Sequence, residues 1–139
     1  MPHVRVSIID IPKILDERGN LSFIENGKYL PFIIKRTYWI YDVPGGEIRG
    51  GHAFKTQEEI IIALSGSFDV VVNDRFNEAK FSLNRSYKGL YIPRMCWRRM
   101  ENFSTNAVCL VLASTLFQES DYIRDLDEYL KLSEKRHDF

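Results

Sequence analysis

A histidine, an arginine three residues before it and a glutamate seven residues after it are the side chains of this sequence best placed to move a proton. They stand in Gly46-Glu47-Ile48-Arg49-Gly50-Gly51-His52-Ala53-Phe54-Lys55-Thr56-Gln57-Glu58-Glu59, and an apolar run of Ile60, Ile61, Ile62 and Leu64 leads on to Gly66. In an extended segment side chains alternate with period two, so His52 and Phe54 share a face. If Glu59 opens the next strand of a tight antiparallel pair, it points into the same cavity. Histidine takes and returns a proton near neutral pH. Arg49 offers a fixed fork for phosphate oxygens, and Arg18, Arg36 and Arg98 are further arginines on apparent strands or their ends. Tyr38 can donate a hydrogen bond to a developing enolate oxygen. Each also has a plain structural reading, as core histidine, surface arginine or packing tyrosine. Their combination is what suggests an acid/base cavity.

The elements that must hold these residues are short strands. Val4 to Ile9 and Leu21 to Glu25 flank a turn at Asp16-Glu17-Arg18-Gly19-Asn20. Ile33 to Tyr41 is rich in β-branched and aromatic residues and ends at Pro44-Gly45-Gly46. Ser67 to Val72, Ala79 to Leu83, Gly89 to Pro93, Cys96 to Met100 and Ala107 to Ser114 follow, with a turn at Asn73-Asp74-Arg75. Strands at such regular intervals predict an all-β barrel or double-sheet jelly roll rather than βα units. The exception is a C-terminal helix over about 120–135, capped by Ser120 and carrying Tyr122, Ile123, Leu126, Tyr129 and Leu130 at helical spacing. Asp121 suits its start, Lys131, Lys135 and Arg136 its end, and His137 falls in a tail.

A chain of 139 residues predicts one domain, 1–139. With 19 Lys and Arg against 19 Asp and Glu, and no basic run longer than two, it lacks the footprint of a nucleic-acid binder. No apolar run approaches the roughly 18 residues of a membrane span, so a soluble, cytoplasmic protein without membrane partners is expected. Cys96 and Cys109 have no CxxC spacing and sit among apolar neighbours, which predicts two reduced core thiols. Val4, Val6, Ile8, Tyr129 and Leu130 look like exposed apolar residues that a two-fold homodimer would bury.

A small jelly roll with a glycine-histidine stretch resembles the cupin superfamily. Gly46, His52, Glu59 and Gly66 match the first cupin motif, with Phe54 at its second histidine. Pro93, Met95, Arg98 and Asn102 follow the spacing of the second motif, with Arg98 where a histidine ligand would be. Of the four metal ligands this resemblance implies, His52 and Glu59 remain. Arg98 would repel a divalent ion and can pair with Glu59 instead, so a pocket without metal or other cofactor is expected.

Arg49-Gly50-Gly51-His52-Ala53 makes the resemblance specific. With Asp16-x-Arg18-Gly19-x-Leu21, Lys35-Arg36-x-Tyr38, Gly89-Leu90-Tyr91-Ile92-Pro93, Glu101-Asn102-Phe103-Ser104, Val111-Leu112-Ala113-Ser114 and Asp121-Tyr122-Ile123-Arg124, the chain resembles the nucleotide-sugar 3,4-ketoisomerases, the WxcM-like cupins. That resemblance implies a dimeric jelly roll that binds a dTDP-linked 4-keto-6-deoxyglucose and moves its ketone to C3. The product would feed an aminotransferase that makes 3-amino-3,6-dideoxy sugars. His52 would be the base at C3, Tyr38 its hydrogen-bonding partner, and Arg49 a phosphate ligand. Arg18, Arg36, Glu59, Arg98 and Phe54 complete the expected substrate-binding set. The family usually has His-x-His, so Phe54 removes one proton-handling group. Epimerisation of a related nucleotide sugar, or nucleotide-sugar binding by a catalytically weak subunit, are the alternatives the same residues leave open.

Overall fold

Residues 5–28 and 30–134 are described by a computed structural model; the expectations placed on Val4, Lys135, Arg136 and His137 fall outside them. In chain order the strands are β1 (Ser7–Asp10), β2 (Lys13–Ile14), β3 (Leu21–Ser22), β4 (Arg36–Ile40), β5 (Arg49–Phe54) and β6 (Glu59–Ser65). Then come β7 (Phe68–Asn73), β8 (Glu78–Leu83), β9 (Lys88–Ile92), β10 (Trp97–Glu101), β11 (Val108–Ala113) and β12 (Tyr122–Ile123), with one helix, α1 (Leu126–Glu134). One antiparallel sheet runs β1-β9-β6-β11-β4 and the other β12-β5-β10-β7-β8, while β2 and β3 make a separate hairpin.

The two large sheets form the jelly roll that the strand spacing predicts. Between them lie Ile61, Leu90, Cys109 and Val111 from the first sheet and Phe68, Val70, Val72 and Met100 from the second. Each such side chain, fully buried, contributes roughly 1.5–3 kcal/mol. The run Ile60-Ile61-Ile62 does not alternate because β6 is covered on both faces. Ile61 enters the core, while Ile60 and Ile62 meet Ile24, Leu30, Phe32 and Ile34 outside it. Cys96 and Cys109 are free and buried, and burial pushes both thiols up to about 12.

Three expectations need correction. β5 and β6 are not a hairpin pair: β5 lies between β12 and β10, β6 between β9 and β11, and the chain crosses between sheets at Lys55–Glu58. The helix also begins later than Ser120. Glu119–Asp121 is a single 3-10 turn, and Tyr122 and Ile123 pair with Phe54 and Ala53 of β5. Asp121 explains why: its buried carboxylate accepts the Thr56 N–H, the Thr56 hydroxyl and the Gln57 N–H at 2.8–3.1 Å. Leaving those donors unpaired would cost more than a helical turn returns. Asp125 supplies the real cap, accepting the Asp127 N–H on its side chain and the Tyr129 N–H on its carbonyl. Tyr129 is buried against Ala53, Met95 and Ile123, so it offers nothing to a partner surface. Apolar groups that do stand exposed include Trp39, Tyr41 and Leu64.

Candidate active site

The Arg49–His52 segment is bent by a bulge. Across β10, Arg98 lies opposite His52 but Met100 lies opposite Arg49, so β5 spends an extra residue there. Gly50 makes this possible. Its φ is +73°, and a Cβ on it would stand 2.2 Å from Arg98 Nη1. The freed Gly50 carbonyl accepts a hydrogen bond from that nitrogen at 3.0 Å.

Arg98 is 1% exposed and faces Glu59 of the opposite sheet, also 1% exposed. Nε donates to Glu59 Oε2 and Nη2 to Oε1, both at 2.9 Å. Nη2 also donates to the Tyr38 hydroxyl at 3.2 Å, and that hydroxyl donates to Glu59 Oε1 at 2.9 Å. Gln57 closes the set from 3.4 Å. A buried ion pair survives only when its lone pairs and protons are met in this way. Burial works against the charge on Arg98, but the Glu59 carboxylate holds it firmly protonated. Burial, and then the Glu59 charge, push the Tyr38 phenol well above its ordinary value.

His52 sits beside this network in an aromatic sleeve. Its ring lies edge-on to Phe54 at 4.8 Å and 5.0 Å from Tyr122. Nε2 is itself buried and has no hydrogen-bond partner among the described residues. Burial, then the positive charges of Arg98 and Arg124, pull His52 from 6.5 down to about 2. The imidazole is therefore neutral at working pH, with one nitrogen free to accept a proton. It opens on a cavity of about 480 Å³ lined also by Tyr38, Ile48, Arg49, Arg98, Tyr122 and Arg124. A larger depression, about 600 Å³, lies on the outer face around Trp39, Tyr41 and Leu64; it holds Asp42 but no histidine or arginine, so the chemistry belongs to the smaller one.

Of the residues expected from sequence, the cavity is lined by His52 and Arg98 from one sheet and Tyr38 from the other, with Arg49 exposed at the rim. Phe54 and Glu59 do not line it: they are buried behind it, Phe54 against the His52 ring and Glu59 bound to Arg98 and Tyr38. Arg36 does not line the cavity: it donates to Gln57 at 2.8 Å, with its guanidinium over Tyr38 and Phe117. Arg18 is a correction: it stands exposed in the β2–β3 hairpin, bound to Asp16 at 2.9 Å, and does not line this cavity. For Tyr38, the hydroxyl proton is directed at Glu59. Tyr122 and Arg124 were missed because helical spacing disguised a two-residue edge strand. Arg124 lies 4.1 Å over the Tyr122 ring and forks onto Glu119.

The side chains do not fit the metal that the cupin motifs imply. A guanidinium already takes both oxygens of Glu59, and no three His, Cys, Asp or Glu come together among the described residues. No helix among them is long and apolar enough to cross a membrane.

Comparison with known proteins shows the family. The chain is 41% identical over 124 residues to the TDP-4-oxo-6-deoxy-α-D-glucose-3,4-oxoisomerase of Aneurinibacillus thermoaerophilus, covering 89% of each protein. A 3,4-ketoisomerase from Helicobacter canadensis superposes with a TM-score of 0.92 at 43% identity, over 96% of this chain and 100% of the other. A histidine-to-asparagine mutant of the 3,4-ketoisomerase QdtA from Thermoanaerobacterium thermosaccharolyticum, in complex with TDP-4-keto-6-deoxyglucose, also gives 0.92, at 37% identity over 94% and 95%. The family model described as FdtA, WxcM-like, C-terminal, matches residues 4–134, and the chain belongs to that family.

Proposed function

We propose that this protein is a cofactor-independent isomerase that moves the ketone of dTDP-4-keto-6-deoxyglucose from C4 to C3. The observation that carries the reading is His52, a neutral imidazole lining a cavity whose walls also carry Arg49, Arg98 and Arg124. The names and bound TDP-sugar of the relatives support the substrate class. His52 removes the C3 proton, the C3–C4 enediol forms, and the same imidazolium delivers a proton to C4. Arg49, without an ion-pair partner among the described residues, takes diphosphate oxygens. A diphosphate there offsets the cations that suppress His52, so the base strengthens when substrate is bound. The Arg98–Glu59–Tyr38 network fixes the floor, and Phe54 packs the His52 ring.

The 3-keto product presents a carbonyl to an aminotransferase, which would yield a 3-amino-3,6-dideoxy sugar. The reading includes a homodimer of single-domain subunits, checked by sedimentation velocity.

The test is proton NMR in deuterated buffer with dTDP-4-keto-6-deoxyglucose, and a 3-aminotransferase in a second tube to trap product. Deuterium at the exchanging carbon with a trapped 3-amino sugar is expected. His52→Asn should abolish both while leaving nucleotide binding intact. Bound nucleotide without exchange over hours would overturn the reading in favour of a binding subunit.

A further inference from the structure

The proposed reaction moves two kinds of proton, and His52 accounts for one. A carbon-bound proton leaves C3 and one arrives at C4, while an oxygen-bound proton leaves O3 and one arrives at O4. The protic side chains lining the cavity with His52 are Tyr38, Trp39, Arg49, Arg98, Tyr122 and Arg124. Arginine does not release its proton in a protein, and the tryptophan indole only donates. Tyr38 donates to Glu59 and accepts from Arg98, so its hydroxyl is committed in both directions. The Tyr122 hydroxyl makes no hydrogen bond among the described residues.

Tyr122 is also held in place. Its backbone pairs with Phe54, and its ring packs 4.6 Å from Phe54, 5.0 Å from His52 and 5.9 Å from Phe117. The Arg124 guanidinium covers the ring at 4.1 Å, and Glu119 steadies that guanidinium through two hydrogen bonds. A negative charge passing through the phenol oxygen therefore meets a cation beside it.

We propose that the Tyr122 hydroxyl is the second proton-handling group of the reaction, carrying the oxygen-bound proton while His52 carries the carbon-bound one. The inference rests on the ketoisomerase reading. In the first half, the His52 imidazole takes the C3 proton, the C3–H electron pair becomes the C3=C4 bond, and O4 takes the Tyr122 proton. This leaves a neutral enediol, an imidazolium and a phenolate. In the second half, the phenolate takes the O3 proton, the C3=O bond forms, and C4 takes the imidazolium proton. Both groups return to their starting states, and nothing is oxidised overall.

The variant is Tyr122→Phe, which keeps the ring and its packing. Its kcat should fall about 10²- to 10³-fold, within the usual range for an acid/base group, with KM within about threefold. His52 still abstracts the C3 proton, so solvent deuterium should enter C3 of recovered substrate faster than product forms, a partition the unsubstituted protein does not show. Phe54→His, placing a second base on the same strand face, should restore at least about tenfold of the Tyr122→Phe loss. A Tyr122→Phe kcat within about threefold of the unsubstituted protein overturns the relay and leaves the ketoisomerase reading standing. Absence of turnover in the unsubstituted protein overturns both.

Discussion

Replacing Arg98 by Met tests whether the buried ion pair is held by mutual satisfaction or by charge alone. Arg98→Met keeps most of the side-chain length and removes four hydrogen bonds, two to Glu59, one to Gly50 and one to Tyr38. What remains is a carboxylate 1% exposed with its cation gone. Breaking a buried pair from one side costs about 3–5 kcal/mol, which is a large part of a domain's roughly 5–15 kcal/mol. For a chain of this size that is a loss of roughly 10–20 °C in Tm. The informative variant is the double one. Arg98→Met with Glu59→Gln removes both charges, and the side-chain amide oxygen that replaces the carboxylate still accepts from Tyr38, so the double should be more stable than Arg98→Met alone. Urea denaturation of the four proteins gives the coupling, expected at about 2 kcal/mol or more. If the two losses simply add, the pair is not coupled and the account of the cavity floor is wrong.

Acid should destabilise the fold through His52. Its folded value near 2 lies below the unfolded 6.5, so the unfolded chain binds the extra proton as pH falls below 6.5. The stabilisation is whole above 6.5 and drains by about 1.4 kcal/mol per pH unit below it, a slope that His52→Phe should remove in denaturation at pH 6.5 and about 5. The same depression separates the rate profiles: kcat/KM, which reports free enzyme, should show no His52 limb above about pH 5, while kcat should show one at higher pH. A shared limb would refute the substrate-strengthened base. Gly50→Ala must strain a backbone at φ +73° and drive a methyl into Arg98, so a loss of roughly 2 kcal/mol or more is expected by thermal melting. Tyr129→Phe leaves the carbonyls of Met95 and Asn73 without their shared donor, at roughly 1–3 kcal/mol in the same assay.

The strand pattern was legible because most of it rests on local signals. Pro44-Gly45-Gly46 and Asn73-Asp74-Arg75 mark turns wherever they occur, and Asp74 does cap its turn by accepting the N–H groups of Phe76 and Asn77. The shared face of His52 and Phe54 follows from period two alone. Sheet membership is different, because which strand lies beside β5 depends on contacts far along the chain. Glu59 comes from the opposite sheet and is buried behind Arg98 and Tyr38, so it meets the His52 cavity only through them, and no hairpin with β5 places it there. Tyr122 shows the limit most sharply. Spacing alone cannot tell a helix turn from a short edge strand, and what decides the matter is Asp121 binding Thr56 and Gln57, 65 and 64 residues away.

The substitution that removes a cupin metal also accounts for the state of the base. Arg98 lies opposite His52 in the strand register and brings a permanent cation to Glu59. Its charge, added to burial, keeps the imidazole neutral. A neutral imidazole with a free nitrogen is ready to accept a proton, but a base so weak gains little from doing so until negative charge arrives nearby. Substrate carries that charge in its diphosphate, and Arg49 and Arg124 at the cavity wall are where it would settle. Nucleotide thus does more than hold the sugar in place: it raises the basicity of the group that attacks C3. Free dTDP should then shift the His52 titration, followed by imidazole NMR, toward neutral pH. An unchanged titration with nucleotide bound would break the link between binding and basicity.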